Sequence, residues 1–173
     1  MKTYKYVILF FFIFHSFCNL ITCHAIEKDV IFITDCPDEE NFYARLNCIK
    51  NKLIQSDSNI EKEKYFKSIM DYWVNRDGAR GYTLSDVFLE ILEANTHFFF
   101  LQMVKYPDQF DEWLNELLPL SFTWHEAPPS PLPQKKERIL QLLKNYNPKK
   151  KELKALRDKF ENKLIKLVPR QIQ

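Results

Sequence analysis

The side chains of this chain that could do chemistry are few: four cysteines, four histidines and a set of carboxylates. Glu90 with Glu93, and Asp111 with Glu112, are acid pairs of the type that act as acid and base, or acid and nucleophile, on a glycosidic bond. That use needs two carboxyl groups converging in one cleft, with the pKa of at least one raised. The competing expectation is that each lies on a solvated helix face or at a helix end. His125-Glu126 opens like a zinc-protease motif. Ala127-Pro128-Pro129 follows, however, and two prolines preclude a regular helix, while no second histidine arrives four residues on. His97 heads an apolar run and is expected as a core or capping histidine. Neither G-x-S-x-G nor a phosphate-binding loop occurs. No catalytic residue, metal ligand set or cofactor is assigned, and the expectation is a protein that is not an enzyme.

The remaining candidates suit binding. Asn75 to Gly81 holds the only two glycines, Gly78 and Gly81, beside Arg76 and Arg80. Two arginines on such a loop could take a carboxylate or a phosphate. Phe122, Trp124 and His125 precede a proline cluster, and aromatics on a stiff segment serve as interface anchors. They serve equally well as lids on a core. Lys149, Lys150, Lys151 and Lys154, with Lys159, Lys163 and Lys166 further on, lie beside an apolar stripe. That is the pattern of a helix that meets an anionic membrane or a partner protein.

Residues 1–25 bear on where these side chains would work. Lys2 and Lys5 precede the apolar run Tyr6 to Phe14, which His15, Ser16 and Asn19 interrupt, and Cys23-His24-Ala25 closes the segment. A positive start, a short apolar middle and a small-residue exit read as a secretory signal peptide cut after Ala25. The run is shorter than the roughly 20 residues of a spanning helix. Leu20-Ile21-Thr22-Cys23 resembles a bacterial lipoprotein cleavage box, although that pattern wants a residue smaller than Thr before the cysteine. Lipidation at Cys23 is thus the alternative to release into the periplasm or outside the cell.

Removal of the leader leaves Cys36 and Cys48, an even pair in an exported chain and hence a disulfide candidate. Along one straight helix, positions so spaced lie about 18 Å apart, whereas a bridge needs Cα atoms roughly 4.4–6.8 Å apart. Either Cys36 sits in a non-helical segment that folds back, or the two do not pair.

The elements that must position these residues are helical. Scarce glycine argues against sandwiches, barrels and doubly wound sheets. Asp29 to Thr34 reads as a lone strand or an extended arm. Pro37 with Asp38, Glu39 and Glu40 predicts the first turn of a helix carrying Phe42, Leu46, Ile49 and Leu53 to about Gln55. A second helix shows Tyr65, Phe66, Ile69, Met70 and Trp73 on one face. Thr83 to Asp86 resembles a capping box and predicts the start of a third, with Val87, Phe88, Ile91 and Leu92 inside. A break at Asn95-Thr96 leads into a central apolar helix from His97 to Val104. Tyr106-Pro107-Asp108 starts another, with Phe110, Trp113, Leu114 and Leu117 inward. Beyond a proline-rich connection over 127–133, one helix carries Ile139, Leu142, Leu143 and Tyr146. The last, from about Lys149 to Val168, carries Leu153, Leu156, Phe160, Leu164 and Leu167. The expected fold is all-α, about seven helices forming an irregular bundle or a short α-solenoid.

Charge divides the chain. Residues 26–124 hold 10 basic and 18 acidic side chains, and residues 125–173 hold 13 and 5, so the two parts carry −8 and +8. Either the basic pair of helices over 134–173 packs on the acidic body over 26–126, or it faces a partner. An exported chain with an acidic body is a poor fit to nucleic acid, and the absence of an N-x-S/T sequon favours a bacterial envelope. The leading expectation is a small exported protein-binding module of the inhibitor or immunity-protein format. A membrane-surface or scaffold protein acting through the basic last helix is the alternative, and a carboxylate glycosidase the third.

Overall fold

The computed structural model describes residues 36–37, 41–124, 132–168 and 170–171. Residues 1–25, expected as a signal peptide, the Asp29–Thr34 run and residues 125–131 lie outside the described residues. Among those described are seven α-helices, in agreement with the all-α expectation: α1 (Phe42–Gln55), α2 (Asn59–Val74), α3 (Gly78–Ala94), α4 (Thr96–Met103), α5 (Pro107–Glu112), α6 (Leu132–Asn145) and α7 (Lys151–Lys166). A π-helical stretch, Trp113–Leu117, continues α5, and a 3-10 turn, Leu120–Phe122, follows it. Two-residue strands β1 (Thr123–Trp124) and β2 (Arg170–Gln171) pair in parallel, Thr123 opposite Arg170 and Trp124 opposite Gln171.

Caps decide where the helices begin. α1 starts at Phe42, later than the expected Pro37, because the Asn41 side chain accepts from the Ala44 N–H at 3.1 Å. Pro37 is left outside the helix, where its carbonyl accepts from Arg45 Nη1 at 2.8 Å. Cys36 therefore folds back beside α1, and a disulfide joins it to Cys48 with the Cα atoms 5.8 Å apart. The first branch of the geometric alternative is the one realised.

α3 corrects a second expectation. Asp77 accepts from the Arg80 N–H at 2.9 Å and starts the helix at Gly78, so Thr83–Asp86 lies inside it and caps nothing. Gly81 is helical and buried because α3 passes close to the π-helical stretch: a Cβ there would sit 3.1 Å from Leu117 Cδ1. At the other end Asn95 serves two helices. Its N–H closes α3 on the Ile91 carbonyl at 2.9 Å, and its side chain accepts from the Phe98 N–H at 3.0 Å to open α4.

The core is aromatic. Phe88 meets Phe66, Trp73, Phe99 and Trp113 with ring centroids 5.1–6.4 Å apart. Such stacked, tilted and edge-to-face pairs add to plain burial. Trp113 also touches Phe160 of α7 at 5.2 Å. Two polar side chains are buried among the described residues, and both have partners: Ser85 accepts from Trp113 Nε1 at 2.8 Å and bonds Ser121 Oγ at 2.8 Å, and Gln102 accepts from Lys105 Nζ at 3.0 Å. Contact between Trp113 and the last helix, and a final strand that returns to β1, join elements distant in sequence. A solenoid unit touches only its neighbours, so the architecture is an irregular closed bundle.

Candidate protein-interaction surface

The four carboxylates that could have formed an acid–base pair point away from one another. On α3, Glu90 turns to Lys50 of α1 at 2.6 Å, while Glu93 turns to α6 and accepts from Arg138 Nε at 2.9 Å and Nη2 at 3.2 Å. On α5, Asp111 pairs with Lys159 of α7, whereas Glu112 pairs with Arg76 and accepts from Trp73 Nε1 at 3.2 Å. Each acid meets its own cation on a different neighbour. Among the described residues no group of three or more His, Cys, Asp and Glu is placed to hold a metal.

His97 is neither a core nor a capping residue. It is exposed on the first turn of α4, with Nδ1 3.0 Å from the Tyr146 hydroxyl. The Tyr146 ring stacks on Phe100 at 5.3 Å, and burial pushes its hydroxyl pKa above the usual 10.0. The pair pins the end of α6 to α4.

The two arginines expected on one loop do not form an anion fork, because the Asp77 cap puts Arg80 in the first turn of α3 and leaves only Arg76 ahead of it. Arg76 lies on the Trp73 ring, 3.8 Å from its centroid, donates Nη1 to the Trp73 carbonyl at 2.6 Å and pairs with Glu112. Its guanidinium is held by the protein itself. Arg80 is exposed, 3.6 Å from Asp77, and its guanidinium covers the Phe42 ring at 4.9 Å. Phe122 is fully buried as a core residue, with Lys135 Nζ 5.6 Å from its ring. The Trp124 backbone pairs in β1; its side chain and all of His125 lie outside the described residues.

The basic helices divide their cations in two. One set faces the body: Lys135 pairs with Asp86 at 3.0 Å, Arg138 with Glu93, Lys159 with Asp111, and Lys163 donates to Asn115 at 3.0 Å. The bundle thus docks its +8 part on its −8 part. The other set faces solvent. Lys144 at the end of α6, Lys149 and Lys150 in the turn, and Lys151 and Lys154 in the first turn of α7 are all exposed. None of these five makes an ion pair among the described residues. Leu153, Phe160 and Leu164, the apolar stripe of α7, are buried in the core. The stripe is therefore not free to enter a bilayer, and what α7 offers outward is charge alone.

These lysines sit where helix physics disfavours them. Lys150 is the N-cap of α7 with no side-chain cap bond, and Lys151 and Lys154 lie at the positive end of the helix dipole. Lys151 and Lys154, both on the helix, are also like charges at an i,i+3 spacing, where side chains are neighbours. The lysine run is plain in the sequence. What the sequence lacks is the signal separating the lysines facing Asp86, Asp111 and Asn115 from those facing water, since that depends on how α6 and α7 dock.

No family model, curated protein or solved structure matches the chain. No helix among the described residues is long and apolar enough to cross a membrane.

Proposed function

We propose that the protein is an exported recognition module that holds a protein partner through the lysine-rich end of α6 and α7. One observation carries this reading. Lys135, Arg138 and Lys159 of the C-terminal helices are matched by carboxylates of the body and Lys163 by Asn115, while Lys144, Lys149, Lys150, Lys151 and Lys154 form an exposed cluster without an ion pair among the described residues. Unmatched charge of one sign steers a complementary surface into contact and excludes like-charged competitors. The acidic body is a weaker candidate, because Glu63, Asp86, Glu90, Glu93, Asp111 and Glu112 are already paired within the fold. A membrane-surface role through α7 is weaker still, because its apolar stripe is in the core.

The test uses residues 26–173 as bait in an extract of the source cells and their neighbours, beside a variant with Lys149, Lys150, Lys151 and Lys154 all changed to Glu. The expected result is a stoichiometric protein retained by the parent and lost from a variant of unchanged circular dichroism. Retention of the same protein by both baits moves the interface elsewhere and overturns the assignment.

A further inference from the structure

The position of the five lysines bears on the chemistry of whatever they meet. Building on the recognition reading above, we infer that the partner presents an acidic polypeptide segment, a run of Asp and Glu side chains, and that its docking relieves electrostatic strain built into α7.

Two observations converge. The first is the choice of cation. The five exposed cations clustered here without an ion pair among the described residues are all lysines; Lys166, likewise exposed and unmatched, stands alone at the other end of α7. Three arginines of the same chain occupy fixed pairings: Arg76 stacks on Trp73, Arg138 grips Glu93 through two bonds, and Arg157 is mostly buried beside Asp158 at 2.7 Å. A guanidinium is the better tool for fork-like recognition of phosphate, whereas lysine is a flexible point charge. A row of point charges on mobile stems suits a row of carboxylates whose spacing need not be rigid. The large exposed apolar residues of the C-terminal region, Ile165 and Val168, are at the opposite end of α7. Contact at the lysine end is therefore polar, fast to form and sensitive to salt.

The second observation is energetic. An N-cap position favours Asp, Asn, Ser or Thr, and the first turn favours acidic residues. α7 has lysine at the cap and two lysines in the first turn, with Glu152 as its sole acid there. Local rules broken at an exposed surface with no compensating contact inside the fold mark a site retained for binding. Carboxylates brought by a partner supply the missing compensation, so binding and stability are linked.

This predicts opposite signs for two measurements on one variant. Lys150→Asp with Lys151→Glu restores favourable cap and first-turn charge. The free variant should melt about 2–4 °C above the parent, and it should lose the response to an acidic chain. The probes are poly-L-glutamate, heparin and phosphatidylglycerol vesicles, each added to the full mature chain with melting followed by calorimetry. Poly-L-glutamate should raise the melting temperature of the parent at low salt and not at high salt. It should still raise that of Lys166→Glu, a charge reversal at the far end of α7, and fail on the double variant. No response of the parent to poly-L-glutamate overturns the inference. A response to heparin or vesicles alone also overturns it, in favour of a sulfated glycan or a lipid surface. A double variant that melts below the parent overturns the strain argument. The bait experiment separates the two levels: a charge-dependent protein partner without a poly-L-glutamate response leaves recognition standing and removes only the acidic-segment chemistry.

Discussion

At the scale of single residues, the most exacting position is Ser85. Its hydroxyl is the partner of the Trp113 indole N–H inside an aromatic core, and it bonds Ser121 as well. Ser85→Ala leaves that N–H unpaired at a site with no access to water. The expected loss is about 1–3 kcal/mol of stability, the range for a buried donor left unsatisfied, and urea unfolding of the variant measures it. A loss within error would mean that Trp113 finds another acceptor. Nothing in the sequence singles out Ser85: it sits in a stretch that looks like a capping box, and its role depends on a tryptophan on another helix. Arg76 and Phe122 teach the same lesson. As residue types they suit a binding loop, but Arg76 has Glu112 and the Trp73 ring within reach, and Phe122 has a core to fill. Composition and spacing do not contain those contacts.

At the scale of elements, the helices themselves were legible because apolar spacing is a local property. Leu46, Ile49 and Leu53, then Phe66, Ile69 and Trp73, are buried as their intervals predict. Boundaries were less legible where two caps compete, and Asp77 prevails over Thr83 because a helical Gly81 lets α3 approach Leu117. The π-helical stretch was not legible at all, since it accompanies the placing of Trp113 against Ser85 and Phe160. Cys36 shows how a late start can matter: with α1 beginning at Phe42, the preceding residues are free to turn back and be bridged. Replacing Cys36 and Cys48 by Ser should lower stability by about 3 kcal/mol through the greater freedom of the unfolded chain. Thermal unfolding of the parent with and without reductant should reproduce the same difference. An unchanged melting temperature in both comparisons would show that the bridge adds nothing to stability.

At the scale of the whole molecule, the charge division of the sequence becomes an internal dock. Exposed ion pairs each contribute little, so the four polar contacts of α6 and α7 orient these helices more than they hold them. Adhesion comes from Leu153, Phe160, Leu164 and Leu167, all buried. Burying four such side chains is worth about 6–12 kcal/mol, comparable with the whole stability of a domain, about 5–15 kcal/mol. A chain ending at Asn147 should therefore lose cooperative unfolding, which calorimetry or near-ultraviolet circular dichroism reads directly. A sharp transition in the shortened chain would make α7 an appendage instead of a wall of the core. The division into −8 and +8 was visible from residue counts. The partition of the positive half into docked and exposed lysines, on which the proposed surface rests, was visible only once the helices were packed.

The short ladder between β1 and β2 has a consequence for the order of events during synthesis. Trp124 waits for its strand partner, Gln171, which is almost the last residue made. Phe160, which closes over Trp113, is likewise a late arrival. Until the ribosome has delivered those residues, the aromatic centre has an open side and the growing chain has no finished fold to settle into. The core is therefore completed from its C-terminal side, and the packing around Trp113 and the β1–β2 ladder become available together, at the very end of synthesis.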